Sequence, residues 1–302
     1  MSLEQVHRAA LPNDLPADQL RLRADVEGSV AVDPSRAAWR YLSFCVTELA
    51  PGAVLSVGAA GSETVVVLIE GADLEVEAPG HPPAVLPGRP SPFDGLPAAW
   101  YLPPGVSGKL RALAGSGRAC VVAIAYAPAS GRQTVAPDPA VILPETVTIE
   151  VRGAGNATRQ INHIIEPDFP ADRLEVVEVL TPSGNWSSWP PHKHDVDDMP
   201  TEAVLEEVYH YRFRRPAGWG IQRLYRPDRS RDAIWEVHHG DVVLVTDGYH
   251  PFAAAHGDDA YYLNALAGDR RTMACSFDPD FDHVRASWAS MAPDPRVPLV
   301  RR

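Results

Sequence analysis

Apolar residues recur with period two along most of this chain. Their runs are too short, and too often broken by glycine and proline, to be helices. YLSFCVTEL, TVVVLIEGADLEVEA and RACVVAIAYA fall in the first half. RLEVVEVL, VLEEVYHYRF, WGIQRLYR, DVVLVTDGYH and YYLNALAG fall in the second. β-Branched and aromatic residues dominate them, so all read as strands. The stretches APGA, LPPG, TPSG and HHGD carry turn chemistry between them. With 30 prolines and 22 glycines to accommodate, few segments could run as long helices. The pattern predicts an all-β chain of sandwiches or barrels.

The Pro-, Ala- and Ser-rich stretch APASGRQTVAPDPAVILPE, about residues 127–145, reads as a linker between two halves. The expected domains are 1–135 and 136–302. The halves resemble each other faintly. VTELAPGAVLSVGAAGSE has the shape of VVEVLTPSGNWSSWPPHKH, and AWYLPPGV takes the place of VVLVTDGYHP. Where the second copy carries HKH, the first has AAGS. Where the second carries Tyr249-His250, the first has Gly105-Val106.

The stretch NWSSWPPHKHDVDDMP concentrates the candidate chemistry. His192 and His194 sit one residue apart, so an extended backbone points both imidazoles to one side. Lys193, between them, should point away. Two imidazoles on one face begin a metal site. Downstream, Glu206, Glu207 and His210 lie on one strand, with Glu206 and His210 on one face and Glu207 and Tyr211 on the other. A further strand ends in His250. Three strands could thus bring three histidines and a glutamate to one barrel mouth, a set that suits Zn, Mn, Fe, Co or Ni.

Length, charge and cysteine content narrow the setting. The 302 residues suffice for one large or two ordinary domains, and the net charge of -12 argues against nucleic-acid or anionic-membrane partners. Cys45, Cys120 and Cys275 are too few and too far apart for a disulfide framework. No apolar stretch is long enough to span a bilayer, and no signal-peptide core is evident, so a cytoplasmic protein is expected.

The order HxH, Glu, His on an all-β chain resembles the cupin superfamily. It departs from the usual cupin spacing: Glu207 lies far beyond the HxH pair, and Thr246-Asp247-Gly248-Tyr249-His250 replaces the usual second motif. The stretches WSSWPPHKHD, LEEVYHYRF, GWGIQRLYRPDRSRD and GDVVLVTDGYHP…AYYLNALAG together look like the 5-deoxy-glucuronate isomerase family of myo-inositol catabolism. That family is related to 4-deoxy-5-threo-hexulose-uronate ketol-isomerases. SPFDGLPAAWYLPPG and RGAGNATRQINHII fit it too, so the resemblance covers nearly the whole chain.

The resemblance implies a bicupin: a metal-free, structural first barrel and a catalytic second one. By position the ligands to one divalent ion would be His192, His194, Glu207 and His250. The implied reaction is the aldose–ketose isomerisation of 5-deoxy-D-glucuronate to 5-dehydro-2-deoxy-D-gluconate. A carboxylated sugar needs local positive charge, and the stretch YRFRRPAGWGIQRLYRPDRSRD supplies seven arginines. Arg223, on a strand with one face toward the pocket, is the first candidate for the carboxylate, and Arg229 the second. Tyr249 and Tyr211 are candidate polar groups of the pocket; Glu206 and His210 also stand open as acid–base groups.

Two other classes use the same residues. An Fe- or Ni-dependent cupin dioxygenase would share the ligands but consume oxygen. A non-catalytic bicupin would bind a sugar acid without turnover. The arginine-rich stretch favours a small carboxylated substrate. The partner expected is that small molecule, with a homo-oligomer left open.

Overall fold

A computed structural model describes residues 15–25, 28–58, 61–131 and 138–302. The first half is a two-sheet barrel. Its larger sheet has six strands, in the spatial order Ala140–Ile142, Ala98–Leu102, Ser62–Gly71, Cys120–Pro128, Ser43–Leu49 and Val30–Val32. A four-stranded sheet covers it, in the order Val54–Val57, Gly108–Ala112, Leu74–Glu77 and Ala84–Leu86. The second half repeats the plan. A seven-stranded sheet includes Leu205–Phe213, Ala260–Gly268, Leu174–Thr181, Arg159–Ile165 and Thr148–Arg152. Its cover has four strands: Trp186–Ser187, Phe252–Ala254, Trp219–Tyr225 and Asp232–His238. All named pairings are antiparallel, so the expected all-β, two-barrel architecture holds.

The continuous apolar runs now have a cause. In Ser62–Gly71, Val66 and Leu68 face the interior of the first barrel, where they meet Trp100, Leu110, Val122 and Ile124. Val65, Val67 and Ile69 face the other way, into a core shared with Val176, Val208, Leu263 and Ala265 of the second half. A strand buried on both faces has no polar alternation to show. The larger sheets of the two barrels therefore pack face to face. Burying each such Val, Leu or Ile contributes roughly 1.5–3 kcal/mol. Arg89 of the first half pairs with Glu178 of the second inside this interface, Nη2 to Oε2 at 2.8 Å, with both side chains buried. Asn162 Nδ2 also donates to Glu178, at 2.8 Å.

The expected boundary at 135/136 lies outside the described residues. On either side of it, the halves exchange strands. Arg21–Leu22 pairs with Val242–Val243 at the edge of the second barrel's sheet. Ala140–Ile142, assigned above to the second domain, pairs with Ala99–Tyr101 at the edge of the first barrel's sheet. A division into 1–135 and 136–302 thus misplaces one short strand on each side, because each barrel completes an edge with chain from beyond the linker.

Candidate metal centre

Two strands and one loop deliver the site. His192–Lys193 is a two-residue strand pairing with Phe277 and Ser276. Its extended backbone and the residue after it turn the His192 and His194 rings to one side, with centroids 6.4 Å apart. Lys193 points away and is taken up by Asp195 at 2.7 Å and Glu202 at 2.8 Å. On Leu205–Phe213, alternation sends Glu207, Tyr209 and Tyr211 into the barrel. Glu206 and His210 go to the other face, where His210 packs against Phe44 of the first half, with rings 6.3 Å apart. Neither Glu206 nor His210 therefore reaches the site. His250 follows a tight turn in which a Cβ on Gly248 (φ +82°) would lie 2.4 Å from the Tyr225 carbonyl oxygen. Only glycine lets this loop come so close. The Gly248 amide donates to Asp195 at 2.7 Å, tying the His250 loop to the HxH segment.

His194, Glu207 and His250 are buried, and each offers a ligand atom within 4.8 Å of the other two. His194 Nδ1 lies 3.0 Å from the Leu205 carbonyl oxygen, and His250 Nδ1 lies 3.0 Å from that of Gly248. A carbonyl can only accept, so each Nδ1 carries the proton and each Nε2 lone pair faces the centre. His194 Nε2 is 2.9 Å from Glu207 Oε2, and His250 Nε2 is 3.4 Å from the same oxygen. His250 Nε2 is buried without a hydrogen-bond partner. An orphaned acceptor beside a second imidazole and a carboxylate fits a borderline divalent ion. His192 completes the group from the side, its ring centroid 4.6 Å from that of His250.

Electrostatics favour neutral ligands at two of the three histidines. Burial, then the neighbouring imidazoles, holds His192 well below the usual histidine range. Burial brings His250 down to about 4, against the pull of Glu207. At His194 burial again opposes protonation, but the Glu207 carboxylate outweighs it and the net shift is upward.

A cavity opens beside this group. Arg152, Arg159, Ser188, His192, Glu207, Tyr262 and Asn264 supply its polar wall. Ile161, Val177, Val179, Leu266 and Met273 supply the apolar one. Several expected pocket residues lie elsewhere. Arg223 is on the outer face of Trp219–Tyr225, where alternation sends Gln222 and Leu224 inward. It is held by Asp232 through Nε at 2.8 Å and Nη2 at 2.6 Å. Arg229 stacks over the Tyr225 ring at 4.1 Å, outside the cavity lining. Tyr249 packs on Tyr225, with rings 5.3 Å apart, and Tyr211 donates its hydroxyl to Gln222. Neither tyrosine lines the cavity. The arginines that do, Arg152 and Arg159, belong to the stretch RGAGNATRQINHII. Its alternating pattern was the one available signal: residues 152–165 end one strand and form the next, with Arg159 and Ile161 on the inner face.

Fold and site together define a two-barrel cupin with a His/Glu group suited to a metal in its second barrel. The chain belongs to the KduI/IolB family, whose model matches residues 18–284. It is similar to a 5-deoxy-glucuronate isomerase of Geobacillus kaustophilus, 40% identical over 264 residues, which cover 86% of this chain and 92% of that protein. A 5-deoxy-glucuronate isomerase of Halalkalibacterium halodurans is 34% identical over 270 residues, covering 87% and 96%. Among solved structures, an IolB-like protein from Salmonella typhimurium matches with a TM-score of 0.80 at 33% identity, covering 88% of this chain and 99% of that one. Oxalate decarboxylase from Lactobacillus farciminis matches with a TM-score of 0.59 at 12% identity, covering 90% and 95%, a likeness of fold alone.

Proposed function

We propose that this chain is an aldose–ketose isomerase that converts 5-deoxy-D-glucuronate to 5-dehydro-2-deoxy-D-gluconate in myo-inositol catabolism. The observation that carries the reading is the convergence of His194, Glu207 and His250, with Glu207 and the neighbouring His192 in the wall of a cavity. It stands in a chain that spans most of the length of relatives named for that activity. The ligand set is His194, Glu207 and His250 with His192 beside them. One divalent ion held there would supply Lewis acidity toward the aldehyde oxygen at C1 and the hydroxyl at C2.

The reaction moves one carbon-bound proton from C2 to C1 and one oxygen-bound proton from O2 to O1, with no net change of oxidation state. The chain's own groups position the sugar for this. Ser188 Oγ lies 2.8 Å from the Tyr209 hydroxyl and 3.5 Å from that of Tyr262, so the wall carries a chain of hydroxyls. Ser188 holds φ at +48°, a left-handed conformation that a non-glycine residue keeps only when its surroundings fix it. Burial raises the Tyr262 phenol above its ordinary value, against the pull of Ser187 and Ser188. It therefore stays protonated near neutral pH and can donate to a substrate oxygen. The apolar wall excludes water from the reacting carbons.

The deciding experiment is a turnover assay on 5-deoxy-D-glucuronate without oxygen, alongside metal analysis of the purified protein. Isomerisation without oxygen consumption is expected. Turnover that stops without oxygen would assign the site to a dioxygenase, and binding without turnover would make the protein a sugar-acid-binding bicupin.

A further inference from the structure

We infer that the cavity contains a carboxylate subsite built on Arg159, which recognises the acid end of the substrate and restricts the enzyme to sugar acids; this rests on the isomerase reading above. The first observation is a missing partner. Four arginines are buried among the described residues: Arg89, Arg159, Arg173 and Arg212. Three of them meet a carboxylate, Arg89 with Glu178, Arg173 with Asp269 and Arg212 with Glu70. Arg159, only 5% exposed, has no carboxylate partner among the described residues. A buried guanidinium without a counter-charge is costly, and a bound anion removes that cost.

The second observation is how it is held. Arg159 Nη1 donates to the carbonyl oxygens of Ala157 and Trp189, each at 3.1 Å. Its Nε and Nη2 make no hydrogen bond to any described residue. The Trp288 ring lies 6.0 Å from the guanidinium carbon. Room for the group is built into the backbone. A Cβ on Gly153 (φ +87°) would lie 2.9 Å from Arg159 Nη1 and 2.1 Å from the Ala157 carbonyl oxygen. The guanidinium is thus fixed on one side, with N–H donors left over in the cavity that also contains His192 and Glu207.

Arg152 lines the same cavity, but its charge is already answered. Its Nε and Nη2 bind Glu150 at 2.7 and 2.8 Å. Of the two, only Arg159 lacks a carboxylate. A pre-positioned guanidinium binds a carboxylate strongly and leaves a neutral sugar with an uncompensated charge to bury. The end of the substrate away from the aldehyde would therefore decide which aldoses are accepted.

The test compares 5-deoxy-D-glucuronate with its neutral counterpart, 5-deoxy-D-glucose, using the metal-loaded full-length protein. The wild type should prefer the acid in kcat/KM by roughly 100-fold or more, and Arg159→Gln should erase most of that preference. Arg159→Lys keeps the charge without the fork, should retain part of the preference, and serves if the glutamine variant fails to fold. A second readout needs no turnover. Borohydride-reduced substrate keeps the carboxylate but cannot isomerise, and calorimetry should find it bound at least roughly 10-fold more weakly by Arg159→Gln than by wild type. The matching neutral 5-deoxyhexitol should bind both proteins equally. If the wild type binds the reduced acid in this Arg159-dependent way yet turns over neither sugar, the isomerase reading falls and the subsite stands. If the folded variants keep the wild-type preference and bind the reduced acid as tightly, the subsite is overturned.

Discussion

Glu63 and Glu206 make the same contact in opposite directions. Each is the second residue of an equivalent strand, Ser62–Gly71 in the first barrel and Leu205–Phe213 in the second. Glu63 accepts from the amides of Asp172, Arg173 and Leu174 at 2.7, 2.6 and 2.7 Å. Glu206 accepts from those of Arg40, Tyr41 and Leu42 at 2.6, 2.9 and 2.8 Å. Each carboxylate captures three successive amides at the start of the other half's corresponding strand. The faint duplication in the sequence is thus a two-fold relation in which each copy holds the other.

Replacing Glu206 with Gln should cost stability and spare the site. The amide keeps one acceptor oxygen and sets an N–H₂ against a backbone donor. A loss of about 1–3 kcal/mol is expected, read as a lower urea midpoint. Glu63→Gln should behave alike. Metal content of Glu206→Gln should match wild type; an emptied site would mean that Glu206, and not Glu207, faces the metal.

For the metal centre, substitution should sort the ligands by position. His194→Ala, Glu207→Gln and His250→Ala each remove one of the three converging groups and should leave less than roughly a tenth of the wild-type metal after dialysis. His192→Ala, at the side, should retain more metal while losing activity. Elemental analysis of the four variants decides. A His250→Ala protein with full metal content would remove that residue from the ligand set.

Stability should fall as pH drops from about 6.5 to about 4, in part through His239. Burial, then the nearby Arg212 guanidinium, brings this imidazole down to about 4. Arg212 Nη1 donates to His239 Nε2 at 2.7 Å, and the same nitrogen binds Glu70 of the first half at 3.1 Å. Across the window the unfolded chain takes up a proton that the folded chain refuses, so acidification drains stability. Below about 4 the loss is complete. Urea midpoints measured from pH 7 to pH 4 should decline less steeply in His239→Gln, and parallel curves would remove His239 from the account.

Arg223→Ala should leave kcat/KM within about three-fold of wild type, although the sequence nominates this arginine first. Its guanidinium answers Asp232 on an exposed outer face, and such pairs contribute about 0–1 kcal/mol. A large rise in KM would return it to the substrate.

The contrast shows what residue patterns convey. Alternation put Glu207 and Tyr211 on one face and Glu206 and His210 on the other, because strand parity is a local property; which face is the inner one shows only in the fold. For Arg223, parity was read without knowing which face met the cavity, and a half-exposed strand looks the same either way. Alternation could put Arg159 on one face with Ile161 but not show its importance, since a missing counter-charge shows only once every neighbour is placed. The exchanged strands Arg21–Leu22 and Ala140–Ile142 are too short to show a period, and their partners lie far along the chain.

That exchange has a consequence in time. Leu22 emerges from the ribosome roughly 220 residues ahead of its partner Val242. At about 5–20 residues per second, the segment waits roughly ten to forty seconds for the edge it will close. The first barrel can take shape in that interval, short of its own last strand by only a few residues beyond the linker. Arg21–Leu22 is therefore made long before it finds its place, and an edge of the barrel with the His/Glu group is closed by chain older than that barrel.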